Sequence, residues 1–160
     1  MVGRKGGVAA LGAMTAVGAT LALALGAGMV VAGSDPATDV TVVERATTDA
    51  VVDLGETGDT IGDQLAFGND LYDADNTEVI GRDQGNCFRT NPTLSWECTW
   101  TNILADGSIV VQGPFYDDLR DSDLAITGGT GTYLGAVGTM TLHARDEGGT
   151  EFDFTFHLAG

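Results

Sequence analysis

Near the C-terminus the apolar side chains recur at every second residue. Phe152, Phe154, Phe156 and Leu158 alternate with Asp153, Thr155 and His157. That spacing puts an apolar row on one face of a strand and a mixed row on the other. Leu65, Phe67, Asn69 and Leu71 alternate with Gln64, Ala66, Gly68 and Asp70 in the same way, and Ile109-Val110-Val111 is a short β-branched run. Further strands are expected over 40–45, 51–54, 79–83, 94–103, 124–127 and 137–144. Turn formers separate them: Gly55, Gly58, Asp75-Asn76, Asn91-Pro92, Asp106-Gly107, Gly128-Gly129 and Gly148-Gly149. Asp106-Gly107 reads as a two-residue hairpin loop. After residue 33 no segment holds a helical stripe for three turns. About eight or nine short strands at regular spacing give an all-β barrel or sandwich.

The first 33 residues are of another kind. Arg4 and Lys5 are their only charges, and Val8 to Val31 contains none. A basic start, an apolar stretch and the small residues Ala32, Gly33 and Ser34 describe a signal peptide. The stretch is also long enough to span a bilayer, which takes about 20 residues, so an uncleaved membrane anchor is the alternative. The expected organisation is a signal peptide or anchor over 1–33, a linker over 34–39 and one domain over 40–160. The domain is expected to be secreted, or tethered if the segment stays.

Charge narrows the partners. All 23 acidic residues follow residue 33, against five arginines and no lysine. No basic patch exists to neutralise phosphates, which excludes a nucleic-acid binder of the usual kind. The same surface repels anionic membranes, so the mature domain is not expected to bind one. Apolar content of 43% argues against disorder.

Few residues signal chemistry. Cys87 and Cys98 flank a short arm with a turn at Asn91-Pro92, a spacing that suits a disulfide across a hairpin in an exported protein. Two free thiols are the alternative. His143 and His157 lie in strands without a metal motif, so neither a metal site nor a cofactor is expected. The acidic pairs Asp117-Asp118 and Asp121/Asp123 lack EF-hand spacing and read as solvated loops. Residues 126–138 are glycine-rich but match neither a Walker loop nor a dinucleotide fingerprint. They read as a wide turn between strands. Glu44 and Glu56 would serve as acid or base only if buried. No catalytic residue is identified on these grounds.

Several blocks in order, residues 62–73 (GDQLAFGNDLYD), 107–115 (GSIVVQGPF), 123–142 (DLAITGGTGTYLGAVGTMTL) and 152–158 (FDFTFHL), resemble the allene oxide cyclase and dirigent superfamily. The resemblance runs over about 40–160. It implies an eight-stranded antiparallel up-and-down barrel, calycin-like, around an apolar cavity. It also implies that Leu65, Phe67, Asn69 and Phe115 bind the substrate, with Asn69 as the polar handle; Val111 shares the parity of Phe115 and joins them. Cys87 matches a cavity-side cysteine, which competes with its bridging to Cys98. Plant allene oxide cyclases carry a glutamate early in the first strand, where this chain has Thr41, and Glu44 falls on the other face. Their proline after that strand has no match between Arg45 and Gly62, and their tyrosine is replaced by Phe115. The plant-type catalytic set is thus not retained.

The function so implied is confinement: a shaped apolar pocket selects one folded conformer of a small apolar or amphiphilic molecule and lowers its entropic barrier to cyclisation or isomerisation. The alternatives are a dirigent-like or lipocalin-like protein that binds or guides without catalysing, and a structural barrel filled by its own side chains. The relatives imply a homo-oligomer, a trimer or a dimer.

Overall fold

The C-terminal phenylalanine row forms the spine of a closed barrel. The computed structural model describes residues 38–159. Within them the strands are β1 (Thr38–Arg45), β2 (Ala50–Val52), β3 (Gln64–Phe67), β4 (Asp70–Tyr72), β5 (Val79–Asn91), β6 (Ser95–Leu104), β7 (Gly107–Tyr116), β8 (Ser122–Gly131), β9 (Gly138–Ala144) and β10 (Glu151–Leu158). The proposed leader over 1–33 lies outside the described residues, as do residues 34–37 of the linker.

From β4 onward each strand pairs antiparallel with its neighbour in sequence, and β1 closes the ring between β10 and β4. Neighbour-to-neighbour closure makes an up-and-down barrel and leaves no open edge in the ring. Eight strands close it: β1, β4 to β10. β3 continues the line of β4 along β5, and β2 adds to β3 outside the ring. β3 and β4 come from the single alternating run over residues 64–72, which breaks at Gly68-Asn69. The carbonyl of Asn69 accepts the Asp83 amide there, at 2.9 Å.

Register fixes which side chains face inward. Val40, Val42 and Glu44 of β1 stand opposite Phe156, Phe154 and Phe152 of β10, which stand opposite Met140, Leu142 and Ala144 of β9. All of these except Glu44 are apolar, and they belong to the core cluster or pack on it. Burying such side chains is worth about 1.5–3 kcal/mol each. Thr41 is on the outer face, with its hydroxyl against that of Thr155.

The β5–β6 pair carries the largest inward groups. Gly85 sits directly opposite Trp100, and a Cβ on Gly85 would come within 2.2 Å of the Trp100 Cβ. The glycine is therefore required by the close approach of β5 to the β6 backbone at Thr99 and Trp100. β5 runs on to Asn91, further than the branched residues at its start imply. Its second half is held by its partners, since Gly85, Asn86 and Asn91 are weak strand formers. The β6–β7 loop is Ala105–Asp106, with Leu104 paired to Gly107, one residue earlier than the Asp106-Gly107 loop expected. Most of the glycine-rich stretch is not a turn: β8 continues to Gly131, and the turn follows at residues 132–135.

Cys87 and Cys98 form a disulfide between directly opposed residues of β5 and β6, with Cα atoms 4.0 Å apart. For a separation of 11 residues, restriction of the unfolded loop is worth about 2–3 kcal/mol. Cys98→Ser should lose about that much in denaturant unfolding. Wild-type protein assayed in dithiothreitol should lose the same amount. Unchanged stability in both would show that the bridge adds nothing.

Candidate functional site

A pocket opens among the residues at the C-terminal ends of β1 and β7 and the N-terminal end of β10. Phe67, Trp100, Phe115, Phe152 and Phe154 supply its aromatic wall, and Leu65 and Leu142 add aliphatic surface. The Cys87–Cys98 bridge is part of the same wall, and Glu44 and Asp49 bring the carboxyl groups. Phe67 meets Trp100 edge-on at 5.8 Å, and Trp100 lies 5.7 Å from Phe154. Phe115 meets Phe152 edge-on at 5.9 Å. The empty space is about 340 Å³ with the mouth included, but only about 30 Å³ admits the centre of a water molecule. The pocket is a narrow slot walled mainly by aromatic rings.

The carboxyl side is built on Asn69. Its Nδ2 donates to Glu44 Oε1 at 2.8 Å and to Asp49 Oδ1 at 2.9 Å. Its Oδ1 accepts from the amides of Thr47 and Thr48 and from the Thr48 hydroxyl, at 3.0, 2.9 and 3.0 Å. The amide is saturated on both sides and fixed in orientation. The backbone N–H of Asn69 donates to Asp83 Oδ1 at 2.9 Å. Asn69 thus ties three carboxyl groups, from β1, β5 and the β1–β2 connection, to one point.

Glu44 is only 5% exposed and Asp83 is fully buried. Burial pushes the Glu44 pKa well above the usual 4.5; the adjacent Asp83 carboxyl and their hydrogen bond push the same way, and Asp49 adds to it. The Asn69 bond opposes the shift. Asp83 is also raised, chiefly by burial, against the hydrogen bond from Glu44. Two carboxyls this close and this dry hold a proton between them. Asp83 Oδ2 receives no other hydrogen bond, and a proton on Glu44 gives it a donor. Glu44 thus lines the aromatic slot as a carboxyl whose protonated form is favoured by burial and by Asp83.

A stability consequence follows. An acid whose native pKa is raised contributes most below its unfolded value of about 4.5. As pH rises from there towards the native pKa, that contribution falls by about 1.4 kcal/mol for each pH unit. Glu44→Gln keeps an acceptor for Asn69 and gains a donor for Asp83, without the titration. Unfolding free energies of the variant minus wild type should therefore climb from pH 4.5 to pH 8. Parallel pH profiles would show that Glu44 ionises normally.

The residues named from the sequence separate into three tiers. Leu65, Phe67 and Phe115 line the slot, as do Cys87 and Cys98. Wall position and bridging therefore coexist, where the sequence set them in competition. Asn69 stands behind the wall, reaching it through Glu44 and Asp49. Val111 is fully buried in the core and does not line the slot. Alternation placed it on the inner face, but the slot occupies only one level of the interior. Thr41 faces outward and Glu44 inward, as their opposite parity in β1 requires, and Glu44 is the carboxyl of that strand that lines the pocket. Glu56 is exposed. Trp100, Asp83 and Asp49 were not singled out by the sequence. Counting alternation outward from the Phe152–Phe156 row through the strand pairing would have placed Glu44 inside.

Several other charged groups of the barrel are engaged. Arg89 lies 3.8 Å over the Trp96 ring, with Nη1 2.5 Å from Asp117 and Nε beside Asp59. Trp96 Nε1 donates to Asp117 Oδ1 at 3.0 Å. Asp118 pairs with Arg120. His143 and His157 are outward and contact Asp121 and Asp39.

A profile of dirigent-like proteins matches residues 27–158. The chain belongs to the dirigent-like family. Solved structures share the dirigent-like barrel. A pyocyanin demethylase is 26% identical with a TM-score of 0.63, covering 73% of this chain and 98% of its own. A pterocarpan synthase dirigent protein is 16% identical with a TM-score of 0.62, covering 79% and 99%. The Diels-Alderase AbmU from Streptomyces koyangensis is 14% identical with a TM-score of 0.56, covering 78% and 68%. The last two show the fold alone.

Proposed function

We propose that this dirigent-like barrel binds a small, largely apolar ring molecule in the slot and acts on it as a cyclase or isomerase. The aromatic wall restricts the bound conformers, and Glu44 meets the reacting group as an acid. The observation that carries this reading is a buried carboxyl, lining the aromatic pocket, that Asn69 orients and whose pKa burial and Asp83 raise. Confinement lowers the entropic part of the barrier, and a positioned acid of raised pKa transfers protons near neutral pH. We read the chain as exported, which suits its disulfide and its acidic surface.

The family match favours a second reading, in which the barrel guides a reaction whose reactive species another enzyme supplies. The two differ in their need for Glu44. A small aromatic carbon acid, 5-nitrobenzisoxazole, tests proton transfer in the slot. That ring opening needs a base, which Glu44 supplies once it has given up its proton, so wild type should speed it with a rate that rises through the raised Glu44 pKa, and Glu44→Gln should lose at least tenfold. Nile red, a neutral dye, should bind at one site per chain in both proteins. Dye binding without any acceleration would leave only the guiding reading. No dye binding would leave a barrel without a working pocket.

A further inference from the structure

The slot's polar groups identify the kind of ring it takes. The carboxyl side carries Glu44 and the exposed Asp49, and among the described residues no Lys, Arg or His lines the pocket. Arg89, a buried arginine, is taken up by Asp59, Asp117 and the Trp96 face. A carboxylate entering the slot would therefore leave water for a site with no positive partner, which costs several kcal/mol. Trp100 adds one polar group to the aromatic wall. It lines the slot, is 3% exposed, and its indole N–H has no hydrogen-bond partner. Buried donors are rarely left unpaired, and a water or an acceptor atom of a bound molecule would satisfy this one.

We propose that the pocket selects a planar aromatic molecule carrying a basic or permanently cationic ring nitrogen, and rejects carboxylates. This rests on the pocket reading above and names its substrate class. A cationic ring gains from the faces of Trp100 and the phenylalanines and from the exposed Asp49. A neutral basic ring takes the proton of Glu44: the O–H bond breaks, an N–H bond forms, and the Glu44 carboxylate stays paired with the new cation and with Asn69 Nδ2. A carbonyl or ether oxygen on the same ring satisfies the Trp100 N–H.

Three bicyclic probes of nearly equal size differ in charge: N-methylquinolinium, 1-methylnaphthalene and 1-naphthoate. Their affinities for the full chain, by calorimetry near physiological ionic strength, decide the proposal. N-methylquinolinium should bind at least tenfold tighter than 1-methylnaphthalene, and 1-naphthoate should not bind measurably. The preference for the cation should shrink at least fivefold in Asp49→Asn, and should persist when the exposed Glu78 and Glu97 are both made glutamine. Naphthoate or methylnaphthalene binding as well as the cation would overturn the charge selection while keeping the pocket. A preference equally weakened by the Glu78 and Glu97 changes would reduce it to general surface charge and overturn it. No binding by any probe would overturn both readings.

Discussion

Asn69→Ala is expected to destabilise the barrel by about 4 kcal/mol. The side chain makes five hydrogen bonds, and each contributes about 0.5–1.5 kcal/mol net. Truncation also strips a donor from buried Glu44, and an unsatisfied buried polar group costs about 1–3 kcal/mol. The loss should be largest where Glu44 is ionised, because the carboxylate then lacks the one donor that favours its charge. The pH dependence separates this account from simple cavity formation, which is insensitive to pH. Urea unfolding at pH 5 and pH 8 measures it, and a loss under 1 kcal/mol at both would show that the amide is not the tie between the carboxyls. Asn69→Asp should be worse than alanine above neutral pH, since it adds a negative charge against Glu44 and Asp49.

Phe154→Ala should cost a similar amount, about 3–5 kcal/mol, for a different reason. Phe154 is almost completely buried, stands opposite Val42 and Leu142, and packs on Trp100. Removing the ring loses its transfer energy and leaves a cavity that rigid neighbouring strands cannot close. Because Phe154 also lines the slot, the variant enlarges the pocket. Nile red should then bind Phe154→Ala tighter than wild type, although the protein is less stable. Asn69→Ala should gain no such affinity. If Phe154→Ala binds the dye more weakly while still folded, the slot is not where the dye sits.

Much of the barrel was legible because an antiparallel barrel has a period of two and a chain-ordered topology. The Phe152–Leu158 alternation fixed the inner face of β10, and antiparallel pairing carries that parity to β1 and β9. Height within the barrel was not legible. Val111, Ile109 and Phe115 share a face of β7, but only Phe115 reaches the slot, because alternation gives the face and says nothing of the level. β1 was ambiguous for another reason. Val42 and Val43 are adjacent and both fully buried, so hydrophobicity does not choose its inner face. Only the pairing of Val42 with Phe154 turns Glu44 inward. The second half of β5 was missed because cross-strand partners override weak local preference there. The carboxyl cluster was illegible for a deeper reason: Glu44, Asp49, Asn69 and Asp83 come from separate segments, and only barrel closure brings them together.

The most direct test of the account is the protonation of Glu44 in the folded chain. Its side-chain carboxyl carbon, assigned by comparison with Glu44→Gln, can be followed by ¹³C NMR as pH is varied. The account predicts a midpoint well above 4.5, and a lower midpoint once N-methylquinolinium is bound, because a cation in the slot favours the carboxylate. A midpoint at or below 4.5 in the free protein would contradict a neutral acid in the pocket, and the proposed chemistry would have no donor.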